Sequence, residues 1–300
     1  STILEPFAGE GHICELLKSS GHFFSWDCFD IDQTLKNVIH RDCLNSFPQG
    51  YEACITNPPY LSIHFARRKG LDIHAADYHG MQSLYQVAIH KALRECAFVA
   101  MIIPESFITS GLFRSRLEAI VSLPEQMFTD TEMPVCLALW GPDPVLETEF
   151  WRQNEFLGPM SSLLDEGPPS GCASRISFNR VDGNLGLRAI DNSREPSIAF
   201  CEPEEIPIDH VKPSARLLTR IFVEGTNQIP EIIQEANNRL DAWRKRTEDL
   251  QLTAFKGLRK DGRFRRRLDY ANARRFLSEA ICKVEGHEGY HEIRGSFRGD

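Results

Sequence analysis

The chain has 300 residues, about twice the length of a typical domain, so its length alone predicts two domains. Hydrophobic residues make up 42% of it and charged residues 25%, a globular composition that excludes a collagen-like, coiled-coil or largely disordered chain. The net charge of −8 taken alone disfavours a polyanionic partner, and the longest apolar run, 96–103, is too short to cross a membrane.

Residues 2–140 alternate short β-like runs with helical ones. Strands are predicted at 2–5, 23–29, 53–56, 97–103 and 135–140. Helices are predicted at 13–18, 32–39, 84–92 and 113–121. A repeat of this kind is typical of an α/β domain with a doubly wound, Rossmann-like parallel sheet, which we expect over residues 1–145.

The composition changes after residue 145. Residues 146–210 are rich in proline and glycine and predict a linker or an irregular, β-rich region. Helical periodicity returns in 211–300, with an apolar face formed by Ile229, Ile232, Ile233, Ala236, Leu240 and Trp243. The sequence therefore predicts a second, mainly helical region after the α/β domain.

Positive charge is concentrated near the C-terminus. Residues 244–275 contain 12 basic and four acidic residues, so this segment carries +8 and the rest of the chain −16. A basic segment on an acidic body is typical of a nucleic-acid-binding protein, although a solvated helical face has the same composition.

The tetrapeptide Asn57-Pro58-Pro59-Tyr60 follows the predicted strand 53–56. It arises by chance on the order of once in a thousand chains of this length at average residue frequencies. Two prolines end a strand because they lack the N–H groups of the ladder, so a plain turn is one interpretation.

A glycine-containing turn precedes this motif by 46 residues. Glu5-Pro6-Phe7-Ala8-Gly9-Glu10-Gly11 lies between a predicted strand and a predicted helix, where residues without Cβ let a cofactor approach the backbone. Asp30 and Asp32 follow the next predicted strand, where an acidic side chain can accept hydrogen bonds from ribose hydroxyls. Either feature by itself is more often a tight turn or a helix cap.

With these motifs, residues 4–140 resemble the S-adenosylmethionine-dependent adenine-N6 DNA methyltransferases in their gamma-type motif order. The resemblance implies a doubly wound methyltransferase sheet whose cofactor-binding residues are Glu5, Pro6, Phe7, Ala8, Gly9, Gly11, Asp30, Asp42 and Cys43. Asp30 would hold the ribose, and Asp42 with Cys43 would meet the adenine ring of the cofactor. The first motif begins close to Ser1, so the helix that precedes it in that family is expected to be absent, trimmed or disordered.

The resemblance also implies that the catalytic residues are Asn57, Pro58, Pro59 and Tyr60, which would receive the target adenine. The Asn57 side-chain oxygen and the Pro58 carbonyl would accept the two hydrogens of the exocyclic amine and localise its lone pair. Such a site acts by positioning and electrostatics, with no metal and no covalent intermediate. Tyr60 would stack on a base rotated out of the duplex, and Phe128 is either a second stacking face or part of the core.

About 15 residues separate Asp42 from Asn57, so a recognition domain is expected downstream, in a mixed, mainly helical region over 211–300. Its candidate DNA-binding residues are Arg259, Lys260, Arg263, Arg265, Arg266 and Arg267. A cognate restriction endonuclease is a possible partner of such an enzyme. RNA adenine, a protein glutamine amide, or an inactive DNA-binding methyltransferase fold are the alternatives.

Two further features concern metals and the cell compartment. Residues 287–291, His-Glu-Gly-Tyr-His, match a zinc motif, but Gly286 and Gly289 disfavour the helix it needs, so we expect an exposed loop. The nine cysteines contain no C-x-x-C pair, and Glu5 and Glu10 stand where a secretory signal is basic. The sequence therefore predicts reduced thiols, no metal site and a cytoplasmic protein.

Overall fold

The computed structural model describes residues 2–21, 24–70, 80–123, 134–164 and 172–286. The chain divides into two compact units, Ser1–Ser162 and Leu163–Asp300. The sequence-based boundary at 145 is earlier than this division, because two further strands extend the sheet of the first unit to Pro159.

One nine-stranded sheet forms the first unit. Its strands are β1 (Thr2–Glu5), β2 (Ser25–Asp30), β3 (Ile39–His40), β4 (Ala53–Thr56), β5 (Phe98–Pro104), β6 (Leu117–Leu123), β7 (Val135–Trp140), β8 (Glu149–Arg152) and β9 (Glu155–Pro159). They lie in the order β3-β2-β1-β4-β5-β7-β6-β8-β9. Strands β1 to β5 pair in parallel, and β7 runs antiparallel between β5 and β6. The predicted doubly wound α/β class is confirmed.

Three helices connect these strands in the described part of the first unit: α1 (His12–Ser19), α2 (Ile63–Arg68) and α3 (Leu84–Glu95). The start of α3 is fixed by Gln86, whose Oε1 accepts hydrogen bonds from the Gln82 and Ser83 amides at 2.6 and 3.2 Å. Its buried face, Leu84 to Ala92, is the predicted apolar stripe. This packing supports β5, whose end carries part of the candidate site.

Two predicted helices are wrong. Residues 32–38 form turns and bends and Ile39 begins β3, because the Asp32 carboxylate accepts from the Thr34 amide and hydroxyl at 2.8 and 2.7 Å and so favours a turn over a helix. Within 113–121 the chain instead enters strand β6, which pairs with β7 and β8. Pairing on both sides overrides the local helical pattern.

The second unit is built on an antiparallel sheet in the order β10-β13-β11-β12. Its strands are β10 (Ile176–Phe178), β11 (Leu185–Arg188), β12 (Ala199–Cys201) and β13 (Leu218–Val223). Helices α5 (Ile229–Thr247) and α6 (Tyr270–Val284) share one core with this sheet. A hairpin, β14 (Thr253–Leu258) and β15 (Phe264–Arg267), lies between the helices along the chain, and α4 (Met160–Leu163) spans the unit boundary. The described part of region 211–300 is thus mixed, with three strands beside two helices.

Candidate functional site

The two strongest sequence motifs lie at neighbouring strand ends. Residues 5–11 begin at the last residue of β1 and residues 57–60 follow β4, and these strands pair in parallel with Ile3 opposite Ala53. Because the strands are parallel, their carboxyl ends meet at the same edge of the sheet. Paired strands are about 4.8 Å apart, so the two motifs are neighbours at that edge. The strand order reverses between β1 and β4, which is the switch point where doubly wound sheets form a ligand crevice.

The glycine turn has a backbone that only glycine adopts readily. Gly9 has φ 51° and Gly11 has φ 83°, and an added Cβ at either would meet no atom of the described residues within 4 Å. The Ala8 amide donates to the Phe29 carbonyl at 2.9 Å, which ties the turn to the end of β2. The turn therefore presents an open backbone surface at the sheet edge.

Asp30 joins the glycine turn to the end of β2. Its Oδ2 accepts from the Gly9 amide at 2.8 Å, and its Oδ1 accepts from the Asp32 amide at 2.9 Å. A carboxylate accepts about four hydrogen bonds in all, so acceptor positions remain for a ligand. The side chain therefore shapes the turn as well as being available for the predicted ribose contact.

Asp42 and Cys43 follow β3 and behave differently from each other. The Asp42 carboxylate accepts from the Leu44 and Asn45 amides and from Asn45 Nδ2, at 3.1, 3.2 and 2.8 Å, and so closes a turn. The Cys43 side chain is buried, and burial raises the pKa of its thiol to about 12. A contact between Cys43 and a ligand at this edge would have to be made by its backbone.

The residues that open the first motif are largely interior. Pro6 and Ala8 are buried and Phe7 is half-buried. Glu5 is 1% exposed, and burial raises the pKa of its carboxyl to about 7. The Cys28 thiol donates to Glu5 Oε2 at 3.6 Å, which lowers that pKa in part. The Glu5 side chain is thus buried at the start of the turn, and its carboxyl has a pKa near neutrality.

Asn57 and Tyr60 are brought together by a contact for which the sequence carries no local signal. The Tyr60 hydroxyl is 2.5 Å from Asn57 Oδ1 and 3.0 Å from the Ile102 carbonyl of β5. Burial raises the pKa of Tyr60, so the hydroxyl keeps its proton at neutral pH. Asn57, Pro59 and Tyr60 are half-buried and Pro58 is buried.

A pocket of about 520 Å³ opens beside the glycine turn. It is lined by Gly9, Glu10, Gly11, Cys14, Glu15, Lys18, Trp26, Asp27, Cys28 and residues 35–39. Asp30, Asp42 and Asn57 are not among the described residues that line it, so this pocket and the motif residues meet only at the turn. Nothing local in the sequence marked Lys18 or Trp26 as pocket residues.

Part of the basic segment is built into the interior of the second unit. Asp191 is fully buried, and its carboxylate accepts two bonds from Arg244, both 2.9 Å, and one from Arg259 at 3.0 Å. Asp249 and Asp261 complete the cluster by pairing with the same arginines at 2.7 and 2.9 Å. The charge of this segment is therefore partly neutralised inside the fold.

The structure places two of the six candidate DNA-binding residues in the interior. Arg259 and Arg266 are buried, so neither guanidinium is open to a phosphate. Arg265 is half-buried and donates from Nε to the Asp191 carbonyl at 2.7 Å. Lys260 and Arg263 are exposed.

Arg267 lines a second pocket, of about 360 Å³, together with Arg216 and Tyr270. Arg216 is exposed, and its position far outside the basic segment gave no sequence signal for it. The structure therefore brings two arginines together that chain position had separated.

Some predicted features lie outside the described residues, namely Phe128 and the motif at 287–291. Within the ranges that the structure describes, no group of three or more His, Cys, Asp or Glu side chains is arranged to hold a metal ion. None of the described helices is long and apolar enough to cross a bilayer.

No protein-family model matches the sequence, and no curated protein matches it. Among solved structures, the methyltransferase subunit of a type I restriction-modification system from Streptococcus thermophilus is similar over 50% of this chain and 41% of its own, with 13% identity and a TM-score of 0.36. A class I S-adenosylmethionine-dependent methyltransferase from Listeria monocytogenes is similar over 50% and 57%, with 16% identity and a TM-score of 0.36.

The 23S rRNA methyltransferase ErmE is similar over 49% of this chain and 64% of its own, with 15% identity and a TM-score of 0.32. The chain thus spans about half the length of the solved structures that it matches. At these identities the likeness concerns the fold alone and assigns no substrate to this chain.

Proposed function

We propose that this protein transfers a methyl group from S-adenosylmethionine to the exocyclic N6 of adenine in DNA. The observation that carries the proposal is the meeting of two motifs at one switch point. The glycine turn with Asp30 and the tetrapeptide at 57–60 lie at the carboxyl ends of adjacent parallel strands, β1 and β4.

The residues at the turn fit the cofactor. Gly9 and Gly11 leave open space beside the backbone, where a methionine moiety can lie, and the Asp30 carboxylate retains acceptor positions for ribose hydroxyls. Asp42 and the backbone of Cys43 would hold the adenine ring. S-adenosylmethionine supplies, when bound, a methyl carbon made electrophilic by its positively charged sulfur.

The chain's own residues then prepare the nucleophile. The adenine amine is a poor nucleophile because its lone pair is delocalised into the ring. The Asn57 side-chain oxygen and the Pro58 carbonyl each accept a hydrogen bond from one N–H of the amine. These two bonds favour a tetrahedral nitrogen with a localised lone pair. With the cofactor bound, that nitrogen would form the new bond to the methyl carbon while the carbon–sulfur bond breaks with its electron pair left on sulfur, and the methylated nitrogen would lose one proton to water.

DNA is the substrate that the charge distribution favours. The second unit carries exposed cations at Lys260 and Arg263, and the Arg216–Arg267 pocket offers a further site for a phosphate. Binding of this kind neutralises phosphates and so weakens steeply with salt. In a restriction-modification system, the enzyme would act in the cytoplasm beside a cognate endonuclease.

A methyl-transfer assay with tritiated S-adenosylmethionine tests the proposal on duplex DNA, RNA and a protein mixture. We expect label on DNA, located at N6-methyladenine by nucleoside analysis, and its loss in Asn57→Ala. Asn154→Ala, which changes an exposed turn residue between β8 and β9, is the matched control.

Other outcomes of this assay identify the alternatives. Label on RNA or protein alone would replace the DNA substrate with that one. Absence of transfer from folded protein that binds DNA would support an inactive DNA-binding fold. Calorimetry with S-adenosylmethionine then separates a failed cofactor site from a failed base site.

A further inference from the structure

The Tyr60 hydroxyl faces two oxygens at once. Asn57 Oδ1 is 2.5 Å away and the Ile102 carbonyl 3.0 Å away. A phenol has one hydrogen to donate, and burial raises the pKa of Tyr60, so the group is the neutral hydroxyl. One hydrogen shared between both oxygens would make two weak three-centre bonds, whereas a second donor would let each contact be a full hydrogen bond.

The asparagine amide supplies that donor when its two end atoms exchange places. The oxygen and nitrogen of a carboxamide have nearly the same shape, so the hydrogen-bond network decides which is which. With Nδ2 toward Tyr60, the amide donates to the hydroxyl oxygen and the hydroxyl donates to the Ile102 carbonyl. Each of the two contacts then has a hydrogen of its own.

The end of strand β4 explains why a hydroxyl is needed at this position. The last β4–β5 pair is Thr56 with Met101, and Ile102 is the next residue of β5. Pro58 and Pro59, which continue the chain, have no N–H to extend the ladder. The Tyr60 hydroxyl donates to the Ile102 carbonyl where no proline amide can.

The two orientations of the amide have opposite chemistry toward an amino group. With Nδ2 bonded to Tyr60, Oδ1 faces away from the hydroxyl and can accept a hydrogen from the amine. With Oδ1 bonded to Tyr60, the substrate would meet an N–H donor, which cannot localise its lone pair. We infer that Tyr60 is a positioning residue whose hydroxyl holds the Asn57 amide with its oxygen toward the substrate, an inference that rests on the proposed function.

Tyr60→Phe tests this role because it keeps the ring and removes only the hydroxyl. We expect kcat for DNA methylation to fall about fivefold, the equivalent of about 1 kcal/mol, and KM for DNA to change less than about twofold. Tyr51→Phe is the matched control, since the hydroxyl that it removes bonds Asp27 Oδ2 of β2 at 2.7 Å and not the Asn57 amide. A fall confined to KM, or an equal fall in Tyr51→Phe, would overturn the inference.

A double-mutant cycle with Asn57→Asp isolates the orientation itself. A carboxylate has an acceptor at both ends, so it has no wrong orientation. Tyr60→Phe should therefore cost less than about twofold in kcat in the Asn57→Asp background. The same fivefold cost in both backgrounds would show that the hydroxyl acts in some other way.

A measurement without substrate keeps the inference testable if either variant is inactive or if the proposed activity fails. In ¹⁵N-labelled protein, the Asn57 side-chain NH₂ signal is assigned by its absence in Asn57→Ala. We expect one of its two hydrogens to exchange slowly with solvent in the parent and rapidly in Tyr60→Phe. Rapid exchange of both hydrogens in the parent would refute the orientation, whatever the enzyme's substrate.

Discussion

Replacing Asp191 by alanine should destabilise the second unit strongly. The carboxylate is fully buried and accepts hydrogen bonds from Arg244 and Arg259 at 2.9 to 3.0 Å. It also accepts from the Ser197 and Arg266 amides at 2.7 and 3.2 Å. Its loss leaves buried donors without their acceptor, which is among the most costly kinds of substitution.

The size of the effect follows from what the variant retains. Removing one partner of a buried ion pair costs about 3–5 kcal/mol. Arg244 keeps Asp249 at 2.7 Å and Arg259 keeps Asp261 at 2.9 Å, which reduces the cost, while the lost backbone bonds increase it. We therefore expect the free energy of unfolding to fall by about 4 kcal/mol, which lowers the urea midpoint by about 2 M for m near 2 kcal/mol/M.

Urea unfolding followed by hydrogen exchange, peptide by peptide, is the appropriate assay because it reports the second unit separately. Asp182→Ala is the control, since that carboxylate pairs with Arg180 on the surface, with 61% and 49% of the side chains exposed. Asp182→Ala should lower the free energy of unfolding much less than Asp191→Ala does. A loss below about 1 kcal/mol for Asp191→Ala would refute the view that this cluster holds the basic segment in place.

The pH dependence gives a second test of the same residue. Burial alone raises the pKa of Asp191, but the bonds from Arg244, the Ser197 amide and Arg259 outweigh it and lower that pKa below its usual value. The charged carboxylate therefore stabilises the fold above the unfolded pKa of about 4, and this contribution is lost as pH falls through the lower folded value. The difference between parent and variant should shrink only below about pH 4.

Three further predictions concern the site and the DNA surface. Gly11→Ala should weaken S-adenosylmethionine binding in calorimetry, whereas Gly21→Ala, with the same left-handed backbone and the same open surroundings among the described residues, should not. Burial raises the pKa of Glu5 to about 7, so the protonated carboxyl stabilises the fold fully below about pH 4.5, and this stabilisation is lost as pH rises through 7. The melting temperature of the parent should therefore fall over this pH range, and that of Glu5→Gln should lack this fall. Reversing Lys260 and Arg263 to glutamate should lower DNA affinity and reduce the slope of log K against log salt by about 2, and an unchanged slope in a filter-binding titration would exclude them from the interface.

Local sequence determined the elements whose signals lie within a few residues. Strand β4 ends where Pro58 and Pro59 remove the ladder donors, and the turn at Gly9 and Gly11 needs residues without Cβ. Both motifs are readable from the chain for this reason, and the apolar stripe of α5 is readable from its helical spacing. The alternation of these elements was enough to predict the fold class, although the helix expected at 113–121 is partly strand β6 because pairing with β7 and β8 decided it.

Only the tertiary structure decided what the charged and hydrogen-bonding groups do. A count of basic residues in 244–275 does not include Asp191, because Asp191 lies more than 50 positions before Arg244 along the chain. In the folded chain Asp191 nevertheless pairs with Arg244 in the core and neutralises its charge. The contact of Tyr60 with Ile102 likewise joins residues 42 positions apart. Charge and hydrogen bonding act through space, and their strength depends on burial, so the chain must fold before a cation becomes either a surface contact or part of the interior.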